Sequence, residues 1–537
     1  MSIQASSGVT DHLTGRAPVL VVGAGPTGLL LAAELHRREV PCVLIDERSG
    51  PQHWDRATVV HPRSLELFES LGLSERFLAL GTPQRGAKIH SSGDVLGAFD
   101  LTSSGSSYPY SLGVSEEVTE AILTEYLGAQ GGEVTRASRL IGLTARPDGV
   151  VAEVERDGER IQMAASWVVG CDGLHSPTRE ASGIGFDGHD LAAPWAVFDA
   201  TLDPWSEAFD LTFVYLETVP VILTALPGRR WRAYLRPSSP ESDLVAEATA
   251  TIRRYYPAVS FVDVENPTRF HCHTKVATTF RAGPVLLAGD AAHLCSPAQG
   301  HGMNTGLQDA ANLAWKLALV HKGSADPALL DSYEAERLPV ARTIGVEGDD
   351  FEHMELATDA NARNDRDRSM RAMLADPTAR QHEIVAEAEL DVEYTDSPIV
   401  IGDAHRGLAP GQRLPDTIPT RWSATESGRL HERTRHAGHT IVLLNGTDAD
   451  RGAVSELLDA LLDVVAGSPM LDAVIALGVG EQPTERAGHI EASAADVLDV
   501  DGITLFAVRP DGYIGLRADH DYLAALARYQ ALVLGHS

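Results

Sequence analysis

Apolar positions along the chain fall into distinct patterns. "VLVV" (19–22) is a short continuous run before a glycine-rich turn; "TGLLLAAELHRR" then has helical spacing, and "CVLID" is a second short run. Runs of this length read as strands buried on both faces, and a parallel pair with its crossover helix is the expected assembly. "WVVG" (167–170) and "VLLAG" (285–289) repeat the pattern, predicting one sheet built from discontinuous segments. Between about 186 and 270, "WAVFDATLD", "LTFVYLET" and "PVILTALPGRRWRAYLRP" alternate and are rich in aromatics. They predict an antiparallel sheet with a hairpin turn at "PGRR". "NTGLQDAANLAWKLALVHKG" (304–323) puts Leu307, Ala311, Ala314 and Ala318 at helical spacing and ends in stop signals.

From about residue 400 the pattern restarts. "HTIVLLNG", the amphipathic "VSELLDALLDVV", "LDAVIALG", and "ITLFAVRPDGYIGLRA" with its "PDG" turn are followed by a last helix. That order is thioredoxin-like, and a unit with its own small core is expected. The predicted divisions are 1–185, 186–270, 271–399 and 400–537.

Composition narrows the class. The 537 residues suffice for several domains, and 44% apolar and 22% charged residues are those of an ordinary globular protein. A formal charge of −31 argues against nucleic-acid binding, which needs clustered Lys and Arg. Cys42, Cys171, Cys272 and Cys295 are widely spaced with no CxxC pair, so a reducing cytoplasm is the simpler expectation. "MSIQASSGVTDHLTGR" lacks the pattern of a signal peptide. The longest apolar stretch, around 18–35, is broken by three glycines and Pro26, so no membrane partner is expected.

In "GAGPTG", Gly23 permits the tight turn out of the strand, Gly25 the approach of a pyrophosphate, and Gly28 close helix packing. Pro26 and Thr27 open a helix whose amides face phosphates. Asp46, 18 residues after Gly28, is placed for a ribose hydroxyl, with Glu47 beside it. "GIGFDG" (183–188) matches the same expression, but it follows a helix-like stretch and leads into irregular chain, so no phosphate site is expected there. "HCH" (271–273) and "HERTRH" (431–436) lack metal-site spacing, and no metal is expected.

Two later segments carry more chemistry. "VVGCDGLHSPTRE" puts Asp172 and Gly173 at a strand end. "PVLLAGDAAHLCSPAQGHGMNTGLQDAANLAWKL" puts Gly289 and Asp290 at another, before glycines and a helix. Asp290 is placed to accept hydrogen bonds from a polyol, and the start of the helix offers amides and a positive dipole end. In order and spacing, these motifs resemble the FAD signatures of aromatic-ring hydroxylases of the para-hydroxybenzoate and phenol hydroxylase type. The resemblance covers 18–345, includes "DSYEAERLP" (331–339), and extends in the tail to longer members that include aromatic polyketide hydroxylases. Two departures stand out. Glu116 replaces the family's usual glutamine, and Ser296 and Gln299 replace the usual proline and glycine flanking Pro297.

The resemblance implies an α/β fold: a discontinuous Rossmann-like FAD domain, an inserted antiparallel-sheet substrate domain and a C-terminal thioredoxin-like domain. It assigns Gly23, Gly25 and Gly28 to the pyrophosphate, Asp46 to the adenosine ribose, and Asp172 and Asp290 to the FAD chain. Arg56 is expected near the flavin or its phosphates. Pro297, Gly300, Gly302, Met303 and Asn304 are expected along the isoalloxazine, with His301 nearby as a catalytic candidate. Tyr215, Tyr234 and Arg236 are candidates for the substrate pocket; Tyr234 and Arg236 share a strand face.

The implied chemistry is hydroxylation of a phenolic or polycyclic aromatic substrate with NAD(P)H and O₂, through a flavin C4a-hydroperoxide. Baeyer–Villiger oxygen insertion into a ketone remains an alternative, as does a non-catalytic FAD-binding partner protein. The oligomeric state is left open, a homodimer being compatible.

Overall fold

The structure is a computed structural model. It describes residues 16–51, 57–191, 193–355, 359–402, 407–423, 425–446, 449–480, 483–484 and 486–535; Arg56 lies outside them. Val19–Val22 is central in a six-stranded sheet, parallel to Cys42–Ile45 on one side and Trp167–Gly170 on the other. Val134–Thr135 and Val285–Leu287 extend it in parallel, and Arg281–Ala282 closes one edge antiparallel. "VLVV" is uniformly apolar because both faces are covered. Val19 and Val21 join the core that holds the helices Pro26–Arg37 and His301–His321. Leu20 and Val22 meet Leu140, Val150 and Val154 of an antiparallel meander over 138–165. The two helices approach closely at Gly306, where a Cβ would stand 2.4 Å from Thr27 Oγ1.

The second sheet has seven strands, ordered Ser260–Phe270, Trp195–Asp203, Arg230–Leu235, Val221–Leu226, Thr212–Tyr215, Gly86–Ser91 and Asp94–Asp100. It therefore exceeds the expected 186–270 span: 86–100 supplies two strands, and Thr212 pairs with Ala87 in the sheet's one parallel register. The turn at "PGRR" is Pro227–Arg229, with Gly228 at φ 73°. One face packs Phe198, Phe213, Tyr215 and Trp231 against the helix Leu244–Arg253. The opposite face gathers Ile89, Val214, Ile222, Tyr234 and Phe270 with Met370 and Leu374 of the helix Ala360–Ala375.

"GIGFDG" leads into a separate three-stranded sheet. Phe186–Asp190 is a strand paired antiparallel with His273–Ala277, rather than irregular chain. A Cβ on Gly188 would meet the Thr274 carbonyl oxygen at 2.0 Å, so this glycine serves strand packing.

In the tail, His439–Asn445 lies parallel to Leu471–Val479 and antiparallel to Ile503–Val508. Ile503–Val508 forms a hairpin with Ile514–Ala518, and Tyr522–Leu534 is the last helix. One sheet face has its own core, around Leu444, Leu477 and Phe506. The other face does not stand alone: Ile441, Leu443 and Tyr529 belong to the same cluster as Val19 and Leu313. Among the described residues, no helix is long and apolar enough to cross a membrane.

Candidate functional site

A cavity of about 1030 Å³ runs from the glycine loop to the inner face of the second sheet. The three loop glycines divide their work. Gly23 has φ 100°, and a Cβ there would meet the Cys171 carbonyl oxygen at 2.3 Å. A Cβ on Gly28 would stand 1.9 Å from the Gly23 carbonyl oxygen, whereas at Gly25 it would meet nothing within 4 Å. Gly23 and Gly28 thus fold the loop, and Gly25 leaves it open toward the cavity. Pro26 and Thr27, also on the cavity wall, begin the helix, whose first amides have no partner within the helix.

Asp46 and Glu47 both line the cavity but differ in exposure and in hydrogen bonding. Asp46 is buried, and its two carboxylate oxygens accept the amides of Ala24 and Arg48, each at 2.8 Å. Glu47 is exposed and lines the cavity.

The two later motifs are braced from behind. Asp172 lines the cavity while accepting the Thr178 amide at 2.9 Å, the Thr178 hydroxyl at 2.6 Å and the Ser176 hydroxyl. It secures the start of the helix Pro177–Ala181. Arg179 donates to the carbonyls of Leu174 (2.7 Å) and Ala291 (2.9 Å), joining one motif to the other. Asp309, fully buried, accepts the Gly289 amide at 3.0 Å and pairs with His293 at 2.6 Å and Arg337 at 2.7 Å. Burial raises the Asp309 carboxyl, and His293 and Arg337 lower it, with the net shift downward. Gly289 itself packs on Thr27, whereas Asp290 opens onto the cavity.

At the helix His301–His321, Gly300 is the left-handed cap at φ 75°. Pro297, Gly300, Gly302 and Met303 line the cavity. Asn304 sits behind the wall: its Oδ1 accepts the His61 amide at 3.0 Å, and its Nδ2 donates to Val59 and Gly300 carbonyls, both at 2.9 Å. His301 also points behind the wall, donating from Nδ1 to Glu389 at 2.8 Å. Burial lowers its pKa, but the hydrogen bond and charge of Glu389 override this and raise it to about 9. Neighbouring His61 is held down to about 3 by burial and the His301 charge, despite its bond to the Gln299 carbonyl.

His61, His301 and Glu389 offer ligand atoms within 4.8 Å of one another. However, His61 Nε2 donates to Gln299 O at 3.0 Å, leaving Nδ1 to accept Ser111 Oγ at 3.1 Å. The three side chains are instead engaged within the wall, His61 with Gln299 and Ser111 and His301 with Glu389. His273 of "HCH" bonds Asp190 at 2.8 Å.

Of the pocket candidates, Tyr234 lines the cavity, with its hydroxyl 2.9 Å from Thr58 Oγ1. Arg236 stacks over Trp195 at 4.4 Å and donates to the Ala193 carbonyl at 3.1 Å, away from the cavity wall. Tyr215 is a correction: it is fully buried on the opposite sheet face, against His90 and Tyr255. Sequence reasoning missed the wall from three helices, which adds Phe351, Met354, Met370, Met373, Glu383 and Glu387. Glu387 is pushed up to about 7, by burial and the charges of Glu383 and Glu389 against the lowering effect of His301. Glu116 lines the cavity from the first turn of Glu116–Ala129.

This architecture has known relatives. Residues 16–346 match the family model described as an FAD binding domain. A pentachlorophenol 4-monooxygenase of Sphingobium chlorophenolicum is 29% identical over 521 residues, 94% of each chain. A Streptomyces rimosus enzyme named 12-dehydrotetracycline 5-monooxygenase/anhydrotetracycline 6-monooxygenase is 31% identical over 524 residues, 93% of this chain and 95% of its own. Among solved structures, an anhydrotetracycline hydroxylase from Streptomyces rimosus has a TM-score of 0.74 at 28% identity, covering 97% of this chain and 99% of that one. With the glycine loop and its two companion motifs on one cavity, the chain belongs to the FAD-dependent aromatic monooxygenases and is a flavoprotein enzyme.

Proposed function

We propose that the enzyme uses NAD(P)H and O₂ to hydroxylate a phenolic aromatic substrate. The observation that carries this reading is the shared cavity. Gly25 and Glu47 line one part of it, and Ile222, Phe270, Met354, Met370 and Met373 make another part apolar. A dinucleotide and a flat ring system would meet there out of bulk water, as oxygen transfer requires.

The residues fit FAD. Gly25 leaves room where a side chain would stand, helix amides are available for phosphate, and Asp290 opens onto the cavity for a polyol. Bound there, FAD would accept the electrons of NAD(P)H and activate O₂. Glu47, rather than the Asp46 expected from the sequence, takes the ribose hydroxyls in this reading. Asp290 holds the ribityl chain, and Pro297, Gly300, Gly302 and Met303 flank the ring. The amides at the start of His301–His321 face negative charge. Tyr234, fixed by Thr58, orients the substrate, while Arg236 supports Trp195.

The discontinuous first and third segments read as a Rossmann-like unit, with the second sheet as its substrate domain. The tail's four main strands lie in the order Ile514–Ala518, Ile503–Val508, His439–Asn445, Leu471–Val479, which supports a thioredoxin-like reading. With no cysteine after Cys295, it has no thiol for exchange and serves in packing.

Incubating the purified holoenzyme with NAD(P)H, labelled oxygen gas and a panel of phenols tests the proposal. Phenol-stimulated NAD(P)H oxidation with gas-derived label in a new hydroxyl is expected. A hydroxyl derived from water refutes hydroxylation, and a lactone assigns oxygen insertion instead.

A further inference from the structure

We propose that Glu387 is the base that takes the proton from the substrate's hydroxyl, an inference resting on the hydroxylase reading above. The helix Pro377–Glu387 presents Glu383 and Glu387, one turn apart, to the cavity. Just beyond, the chain turns through Glu389 at φ 57°, and the fates of the carboxylates diverge. Glu389 enters the helix wall, where its oxygens accept His301 Nδ1 at 2.8 Å and Gln308 Nε2 at 2.6 Å. Both oxygens are engaged, which makes Glu389 an anchor. Glu387 instead lines the cavity that Met303, Met370 and Tyr234 also line.

The surrounding charges suit the role. Burial first, and then the charges of Glu383 and Glu389, hold the Glu387 proton affinity up, and His301 restrains it, leaving a pKa of about 7. Glu347, on the helix Asp331–Glu355, adds negative charge around His301. A base titrating near working pH combines availability with proton affinity. An unperturbed phenol ionises near pH ~10, so it requires such help at neutrality. In the step, the substrate's O–H bond breaks as a new O–H bond forms on the Glu387 carboxylate. The electron pair left on the phenolic oxygen raises electron density at the ring carbon that forms the new C–O bond. The O–O bond breaks, the second oxygen leaves as water at the expense of the two electrons of NAD(P)H, and the ring hydrogen leaves as a proton. The proton on Glu387 later returns to solvent, and Glu387 undergoes no redox change.

The test compares wild-type and Glu387→Gln holoenzymes from about pH 5 to about pH 9 on two substrates: a phenol ionising near pH ~10 and a polyfluorophenol already ionised in the assay. Flavin content and melting temperature are measured in both proteins. The wild-type kcat on the ordinary phenol should rise through pH ~7, and E387Q should lose that rise and fall about 100-fold with little change in KM. The polyfluorophenol should be turned over at nearly wild-type rates. Equal losses on both substrates, or a variant profile still rising through neutrality, overturn the assignment. Absence of phenol-dependent turnover in the wild type would instead refute the hydroxylase reading on which it rests.

Discussion

Arg509 donates to both carboxylate oxygens of Glu336, at 2.7 and 2.8 Å, with both side chains fully buried. Arg509 leads into the "PDG" turn of the tail, and Glu336 lies in the helix Asp331–Glu355. Lys316 approaches Glu336 at 2.7 Å, and Asp511 returns to Arg509 at 2.6 Å. The tail is thereby keyed into the helices behind the glycine loop. Breaking one partner of a buried pair costs about 3–5 kcal/mol, because the remaining charge is stranded. Arg509→Ala should lower stability by that amount in denaturant unfolding, and a loss below about 1 kcal/mol would show the junction to be dispensable.

The glycine loop separates folding from binding. Gly28→Ala places a methyl group against the Gly23 carbonyl oxygen and should destabilise the flavin-free protein by about 1–3 kcal/mol. Gly25→Ala meets no protein atom, so flavin-free stability should hold or rise slightly. Its methyl occupies the pyrophosphate approach, and FAD affinity should fall about tenfold or more, near 1.4 kcal/mol. Unfolding curves and FAD titrations of the two variants check this; an unchanged FAD affinity in Gly25→Ala would remove the loop from the binding site.

His301 provides a pH signature. Its folded pKa of about 9 exceeds the unfolded value near 6.5, so its stabilisation is fully present below that value and declines as pH rises through about 9. At roughly 1.4 kcal/mol per pH unit, the wild type should lose up to about 3 kcal/mol across that window. Glu389→Gln should flatten the decline. Charges on Glu387 and Glu347 also act there, so the informative quantity is the difference between the two proteins in unfolding series at matched pH. Parallel curves would deny the ion pair its role.

The motifs with stringent backbone demands were readable in advance. Gly23 and Gly28 have neighbours that no side chain could pass, and "VLVV" is apolar because both sheet faces are packed. Alternation separated the two faces around Tyr215 but did not identify the one bordering the cavity. The strand Gly86–Ser91 joins Thr212–Tyr215 through parallel pairing between remote segments, which local pattern does not encode. Glu387 sits in "PTARQHEIVAEAEL", which reads as an ordinary solvated helix. Only the packing of the helices Ala360–Ala375 and Pro377–Glu387 over the sheet turns that carboxylate inward.

Asp46 and Glu47 offer the sharpest test of how the adenosine end is built. The Asp46 carboxylate is spent on the amides of Ala24 and Arg48, with Arg48 Nε at 3.4 Å and Arg136 at 3.6 Å adding positive charge. Asp46→Ala strands the Ala24 amide inside the loop, and an unsatisfied buried donor costs about 1–3 kcal/mol. That loss should appear in the flavin-free protein. Glu47, on the same cavity, carries no such duty and is exposed. Glu47→Ala should leave unfolding of the flavin-free protein unchanged while removing a charge-assisted bond to a ribose hydroxyl, about 1.5–3 kcal/mol or roughly 10- to 100-fold in FAD affinity. Fluorescence titration with FAD, paired with denaturation of each flavin-free variant, separates the two effects. A Glu47→Ala protein that binds FAD as tightly as wild type, with Asp46→Ala weakened in binding but not in stability, would return the ribose to Asp46.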